Sequence, residues 1–243
     1  MFRHVLAGLA LTALVAIPAS AQTLDDILAK NFKARGGLDK IKAVQTIKMT
    51  GTLTVGPGME APFILVQKRP NQLRMEFTLQ GMTGIQAFDG KVGWQLMPFN
   101  GRKNPEPVGE DELKQVQEQS DFDGPLVDYQ AKGNTVELVG KDTVEGSDVY
   151  KLKVTLKNGD VRYIFLDADQ FLETRMEEKT TIRGTEVDGE GSVGDYKEVG
   201  GLMFPHAIET GQKGNPQRMK MTIQKIELNV PVDDAVFKMP TVK

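Results

Sequence analysis

Apolar and polar residues alternate one by one in short runs along most of this 243-residue chain. In residues 72–80 every second side chain is apolar, and residues 46–55, 92–96, 150–157 and 218–224 repeat the pattern. Since successive side chains of a β-strand point to opposite faces of its sheet, each run predicts a strand that is apolar on one face and wetted on the other. The chain is therefore expected to be mainly β and antiparallel.

Turn signals separate these runs. Asp89-Gly90 and Asn158-Gly159 are typical of two-residue hairpin turns, which need positive φ at both central positions, and Gly200-Gly201 and Glu145-Gly146 look similar. The turns recur about every 10 to 14 residues, which is the spacing of a meander. We expect ten or eleven strands, with neighbours in sequence pairing as neighbours in the sheet.

Helices are predicted at only a few places. Thr23 with Asp26 has the pattern of an N-terminal cap, and the helix that follows should end at Gly36-Gly37 before one more helical turn toward Val44. A polar segment from Pro98 to Asn134 interrupts the meander. It should hold a helix over residues 110–120 and a second short helix over residues 125–129.

The helical insertion has few apolar residues, and these are expected to face the sheet as a mobile lid or a fixed plug. They are Leu113, Val116, Leu126 and Tyr129.

The first 21 residues have the pattern of a secretory signal peptide. Arg3 precedes an apolar stretch over residues 5–17, Pro18 breaks it, and Ala19-Ser20-Ala21 has the small-residue cleavage pattern. The competing interpretation is a retained membrane anchor, but about 20 apolar residues are needed to span a bilayer. We expect residues 22–243 to form a single domain, soluble in the periplasm.

Composition and motifs argue against several classes of function. The chain has 30 basic and 33 acidic residues and no cysteine, so neither nucleic-acid binding nor thiol chemistry is expected. Gly189 to Gly194 matches the spacing of a dinucleotide-binding loop, but the residues after it favour a strand and a hairpin. His206 is the one histidine after residue 21. We expect no enzyme activity, cofactor, metal site or catalytic residue.

Soft apolar side chains are frequent in the predicted strands. Methionine is flexible and suits surfaces that adapt to varied apolar shapes, although each single methionine also fits an ordinary core. A long meander has one continuous apolar face, which must close on itself, be covered or hold a ligand. The residues expected to line a lipid-binding cavity are Met49, Leu53, Phe63, Leu65, Leu73, Met75, Phe77, Leu79, Trp94 and Leu96.

Several stretches, taken in order, also carry a resemblance to a known family. They are residues 34–43 (ARGGLDKIKA), 69–74 (RPNQLR), 88–94 (FDGKVGW), 195–196 (DY), 200–206 (GGLMFPH) and 229–237 (NVPVDDAVF). The chain resembles the outer-membrane lipoprotein-sorting proteins, the LolA/LolB-like periplasmic carriers. The resemblance implies an incomplete, highly curved antiparallel β-barrel with helices over its mouth and an apolar cavity for acyl chains.

The resemblance further implies a function. We expect a soluble periplasmic carrier of lipoprotein or other lipid acyl chains, monomeric, that works between an inner-membrane releasing complex and an outer-membrane acceptor. Known carriers of this family use an inward arginine to hold the lid closed, and no motif identifies that residue here. The alternatives are a lipid- or protein-sensing module of the same fold, which is not an enzyme, and a hydrolytic enzyme.

Overall fold

The computed structural model describes residues 22–54, 56, 58–182 and 185–241, and describes only the backbone of residues 180–182. The expected signal peptide lies outside the described residues. The helices are α1 (Leu24–Ala34), α2 (Leu38–Ala43) and α3 (Glu110–Ser120), with 3-10 turns at Pro98–Asn100 and Asp234–Phe237. The strands are β1 (Thr46–Thr54), β2 (Glu60–Lys68), β3 (Gln72–Leu79), β4 (Met82–Phe88), β5 (Gly93–Met97), β6 (Arg102–Pro107), β7 (Thr135–Val144), β8 (Ser147–Thr155), β9 (Val161–Asp167), β10 (Glu173–Ile182), β11 (Thr185–Val199), β12 (Leu202–Gln212) and β13 (Met219–Leu228).

All thirteen strands form one antiparallel sheet in the order β6-β5-β4-β3-β2-β1-β13-β12-β11-β10-β9-β8-β7. In the described part of the chain β6 and β7 are the edges and do not pair, so the sheet curves without closing. The predicted incomplete antiparallel barrel is confirmed. The strand count of ten or eleven was too low, partly because β6 contains two prolines and no alternation and was assigned to the polar insertion.

The hairpin turns agree with the sequence in part. Glu145-Gly146 and Gly200-Gly201 are two-residue turns with positive φ at both positions, as predicted. Asp89-Gly90 lies instead in a four-residue loop, whose Asp89 carboxylate accepts hydrogen bonds from the amides of Lys91 and Val92. The segment matching a dinucleotide-binding loop is part of the long strand β11, as the following residues indicated.

The three helices lie where the sequence placed them. Thr23 and Asp26 form the capping box of α1, which buries Ile27 and Leu28 against β7–β9. Helix α3 buries Val116 against β3–β5. The prediction of a second helix in the insertion was wrong, because residues 125–133 form successive turns.

The two faces of β3–β5 can be separated by register. Leu73 pairs with Phe88 and then Gly93 on the face that packs against α3, called the inner face below. Arg74 pairs with Ala87 and then Trp94 on the opposite, outer face. Residues 229–237, called the C-terminal strap, run along the outer face, where the Trp94 indole donates to the Phe237 carbonyl at 2.7 Å.

Candidate functional site

A cavity of about 1070 Å³ opens on the inner face of the sheet. Its apolar wall comes mainly from β1, β2 and β10–β13. The wall residues are Ile47, Met49, Leu65, Met176, Val193, Leu202, Met203, Phe204, Ile208 and Met221. Cross-strand pairing brings them together, since Met49 lies opposite Leu65 and Ile208 opposite Met221. Four methionines in this wall give it an adaptable surface.

The cover of the cavity is the segment from the second half of α3 to Asn134. It contributes polar side chains to the rim, and Phe122 and Pro125 add apolar surface. The side-chain amide of Gln67 donates a hydrogen bond to the main-chain carbonyl of Gln119 at 2.6 Å, and this links the end of α3 to strand β2. This polar contact attaches the cover to the sheet at the end of α3.

Arg69 makes the densest set of these contacts. Its guanidinium donates to both carboxylate oxygens of Asp123 at 2.7 Å, and to the carbonyls of Ile41 at 3.0 Å and Val44 at 2.5 Å. The Asp123 side chain is 9% exposed, so this bidentate pair is largely shielded from water. Arg69 therefore joins the cover to the end of α2 and the start of the sheet.

A second ionic contact holds the other side of the cover. Glu118 of α3 pairs with Arg162 of β9, and Arg162 also donates to Glu178 of β10 at 3.1 Å. Burial raises the pKa of Glu118 above its usual range, and the Arg162 guanidinium offsets this only in part. The carboxylate is therefore less stable here than in water, which makes this contact sensitive to pH.

Three polar residues of the cavity lining interact with one another: Arg35, Glu173 and Tyr196. The Tyr196 hydroxyl donates to the main-chain carbonyl of Glu173 at 2.9 Å. Burial raises the pKa of Tyr196, the Glu173 charge adds to the rise and the Arg35 charge opposes it. Both charges are therefore close enough to act on the phenol.

The backbone around Arg35 is fixed by a close approach. Gly36 has φ +113°, and a Cβ there would lie 2.2 Å from the Gly201 carbonyl oxygen. The amide of Met203 donates to the Arg35 carbonyl at 3.0 Å. Glycine at position 36 lets the end of α1 touch the β11–β12 turn, and this places Arg35 at the cavity.

The sequence-predicted cavity residues fall in three places. Met49 and Leu65 line the cavity. Leu53, Phe63 and Leu73 are buried in closed cores, and Met75, Phe77 and Leu79 pack against those cores, partly buried. Trp94 and Leu96 lie on the outer face, because Trp94 pairs with Ala87 and Leu96 with Ile85. The alternation was right for each strand, but it does not say which parity faces inward.

The predicted lid residues divide into two groups. Leu113 and Val116 of α3 pack with Leu73 and Phe88. Leu126 and Tyr129 pack with the core formed by α1 and β7–β9. Apolar contacts therefore anchor the insertion both in α3 and at residues 126–129, so the cover has buried apolar side chains as well as polar contacts.

Several cavity residues were missed by the sequence. Met221 lies in a run that predicted a strand, yet nothing distinguished it from a core residue. Met176 lies among charged residues from Glu173 to Lys179, where Glu178 is charged although it lies on the same face of the strand as Met176, and this breaks the alternation. Arg35 lies in the stretch 34–43 that carries the family resemblance, but nothing in that stretch marks it as a cavity residue, and Glu173 lies in no motif.

Within the residues that the structure describes, no three histidine or acidic side chains are arranged to hold a metal ion. Among the same residues, no helix combines the length and apolarity that crossing a bilayer requires.

This protein is similar to known proteins in its structure and not in its sequence. No protein-family model matches the sequence, and no curated protein matches it. A LolA superfamily protein from Nitrosomonas europaea superposes with a TM-score of 0.60 at 13% identity, covering 90% of this chain and 98% of the other. A DUF1329 family protein from Desulfovibrio piger gives 0.62 at 12% identity, with coverages of 90% and 98%. An outer membrane lipoprotein-sorting domain from Vibrio parahaemolyticus gives 0.54 at 9% identity, with coverages of 87% and 94%.

These superpositions extend over nearly the whole described chain. The protein therefore has the LolA-like fold, an incomplete antiparallel barrel whose inner face is partly covered by helices. The resemblance carried by the sequence is confirmed at the level of fold.

Proposed function

We propose that this protein is a soluble periplasmic carrier that holds acyl chains of lipoproteins or other lipids in the inner-face cavity. One observation carries the proposal: the inner face leaves about 1070 Å³ unfilled and lines it with apolar side chains from six strands. This volume slightly exceeds the range of pockets that bury small ligands, roughly 300 to 1,000 Å³. Each methylene group buried there contributes about 0.8 kcal/mol.

The cover supplies a route for loading and release. Its ion pairs with Arg69 and Arg162 act together with the buried side chains of Leu126 and Val127, so breaking the two ionic contacts would weaken its attachment while the sheet stays folded. A partner that binds the open form better than the closed form would shift the population toward release. We propose Arg69 as the inward arginine that holds the cover closed.

The structure also favours a binding role over a catalytic one. Among the described residues, the rim carboxylates of Glu118, Asp121 and Asp123 are tied in ion pairs, and Glu173 stands in the apolar wall next to Tyr196. The proposed role is therefore non-enzymatic, and the partners are a releasing complex on one side and an acceptor on the other.

Native mass spectrometry of protein purified from its own periplasm tests the proposal. We expect a mass increment of one lipid or one acylated protein per chain, which disappears on extraction with organic solvent. A chain that is always free of lipid would contradict the carrier function. A stoichiometric non-acylated protein in place of lipid would favour the sensing module.

A further inference from the structure

Two oppositely charged side chains in the cavity, those of Arg35 and Glu173, form no ion pair with the residues that the structure describes. Arg35 donates one hydrogen bond, to the Asp123 carbonyl at 3.1 Å. In the part of the chain that the structure describes, no carboxylate lies within ion-pair distance of Arg35, and no cation lies within that distance of the Glu173 carboxylate. Other carboxylates around the cavity, those of Glu118, Asp121 and Asp123, are each paired with a cation.

The unused bonding capacity of this pair is large. A guanidinium has five N–H donors, and the Arg35 side chain uses one of them on the protein. The Glu173 side chain accepts no hydrogen bond from the described residues, because Tyr196 donates to its main-chain carbonyl instead. Charges of both signs are thus presented to whatever occupies the space around Tyr196.

The residues around Arg35 and Glu173 indicate which chemical groups a ligand of this cavity must carry. Met176, Met203 and Phe204 line the same cavity, so the charged pair borders a surface suited to hydrocarbon. A planar guanidinium suits phosphate, which accepts two parallel hydrogen bonds. A carboxylate suits a primary ammonium, which donates up to three.

We infer that the cavity takes an acyl lipid whose head group carries both a phosphate and a primary ammonium, with Arg35 bound to the phosphate and Glu173 to the ammonium. The inference rests on the proposed carrier function and names its ligand class. A lipid with the phosphate alone would satisfy Arg35 and leave Glu173 facing like charge. A quaternary amine would offer Glu173 charge without an N–H donor.

Four single-chain lipids separate these contributions. Each carries one palmitoyl chain and is titrated by calorimetry below its micelle concentration: lysophosphatidylethanolamine, lysophosphatidylcholine, lysophosphatidylglycerol and the neutral monopalmitoylglycerol. We expect the ethanolamine lipid to bind best, by roughly tenfold over each other phosphate lipid, since one charge-assisted hydrogen bond contributes about 1.5 kcal/mol or more.

Variants assign the two contacts. Arg35→Gln should weaken all three phosphate lipids to a similar extent and leave the neutral lipid unchanged. Glu173→Gln should weaken the ethanolamine lipid most, weaken the choline lipid less because its amine offers charge without an N–H donor, and leave the glycerol lipid no weaker. Arg102→Gln and Glu186→Gln remove charges from β6 and from the exposed side of β11 and serve as matched controls, expected to have no effect. Melting curves confirm that each variant is folded.

The outcomes are distinct. Equal affinity of the unmodified protein for all four lipids overturns this inference and leaves the carrier function standing. A Glu173→Gln variant that keeps the ethanolamine preference also overturns it. Failure of every lipid to bind would count against the inference and the carrier function together.

Discussion

The inner face of the sheet has two regions built from the same alternating pattern and used differently. On β3–β5, α3 lies directly on the sheet, and Leu73, Phe88 and Val116 are almost completely buried against one another. On β10–β13 and β1, the cover stands away from the sheet, and side chains such as Ile208 and Met221 line open space. We call these the closed region and the open region.

The difference lies in what covers each region. Gly93 allows α3 to approach the closed region, since a Cβ there would lie 2.7 Å from Val108 and 3.0 Å from Leu113. Over the open region the chain passes as a polar segment held by Arg69 and Arg162, which reach across from the sheet. A strand's own residues therefore do not decide whether it lines a core or a cavity.

The largest expected effect is a difference in stability between variants with a truncated side chain in the closed region and in the open region. Leu73→Ala in the closed region should lower the free energy of unfolding by about 2–5 kcal/mol, because it leaves a cavity in a packed core. Met221→Ala in the open region should cost about 1 kcal/mol, because its side chain already borders empty space. Urea unfolding measures both, and equal losses would mean that the two regions are packed alike.

The next effect concerns the cover. Arg69→Ala leaves the shielded Asp123 carboxylate without its partner and should cost about 2 kcal/mol, below the 3–5 kcal/mol of a fully buried pair because Arg69 is partly exposed. Hydrogen exchange should show residues 121–134 opening more readily, while β3–β5 keep their protection. The exposed pair of Arg102 and Glu106 provides the control, and Arg102→Ala should cost less than about 1 kcal/mol. Unchanged exchange in residues 121–134 would exclude Arg69 as the residue that holds the cover.

A smaller effect on stability is expected from a change on the outer face. Trp94→Phe removes the hydrogen bond to the Phe237 carbonyl and should lower the free energy of unfolding by about 1–2 kcal/mol. Because Trp94 lies on the face opposite the cavity, affinity for acyl chains should not change. A loss of affinity in the folded variant would return Trp94 to the cavity and contradict the register.

The smallest effect depends on pH. The folded-state pKa of Glu118 is raised, so its contribution to stability is complete below the unfolded value of about 4.3 and is lost as pH rises through the folded-state value. Glu118→Gln does not titrate at this position, so its stability relative to the unmodified protein should improve as pH rises from about 4 to 7. Thermal melting across this range checks the sign, and a change in the opposite direction would show that pairing with Arg162 outweighs burial.

The sequence predicted the class of fold well, for a local reason. Alternation, the capping box at Thr23 and the turn at Gly200-Gly201 are properties of neighbouring residues, and the structure keeps them. The sequence predicted less of the candidate site, because a cavity depends on contacts between residues that are distant in the chain. Trp94 was grouped with Leu73 although register puts them on opposite faces, and Arg35 reaches the cavity only because α1 packs on the β11–β12 turn.

Filling the open region tests the central claim most directly. Ile208→Trp adds a large side chain to the cavity wall, and Ala207→Trp adds the same side chain next to it on the exposed side of β12. Titration with a fluorescent fatty acid should show saturable binding of one molecule per chain for the unmodified protein and for Ala207→Trp, and at least about tenfold weaker binding for folded Ile208→Trp. Absence of saturable binding by the unmodified protein, or equal binding by both variants, would contradict acyl-chain carriage in this cavity.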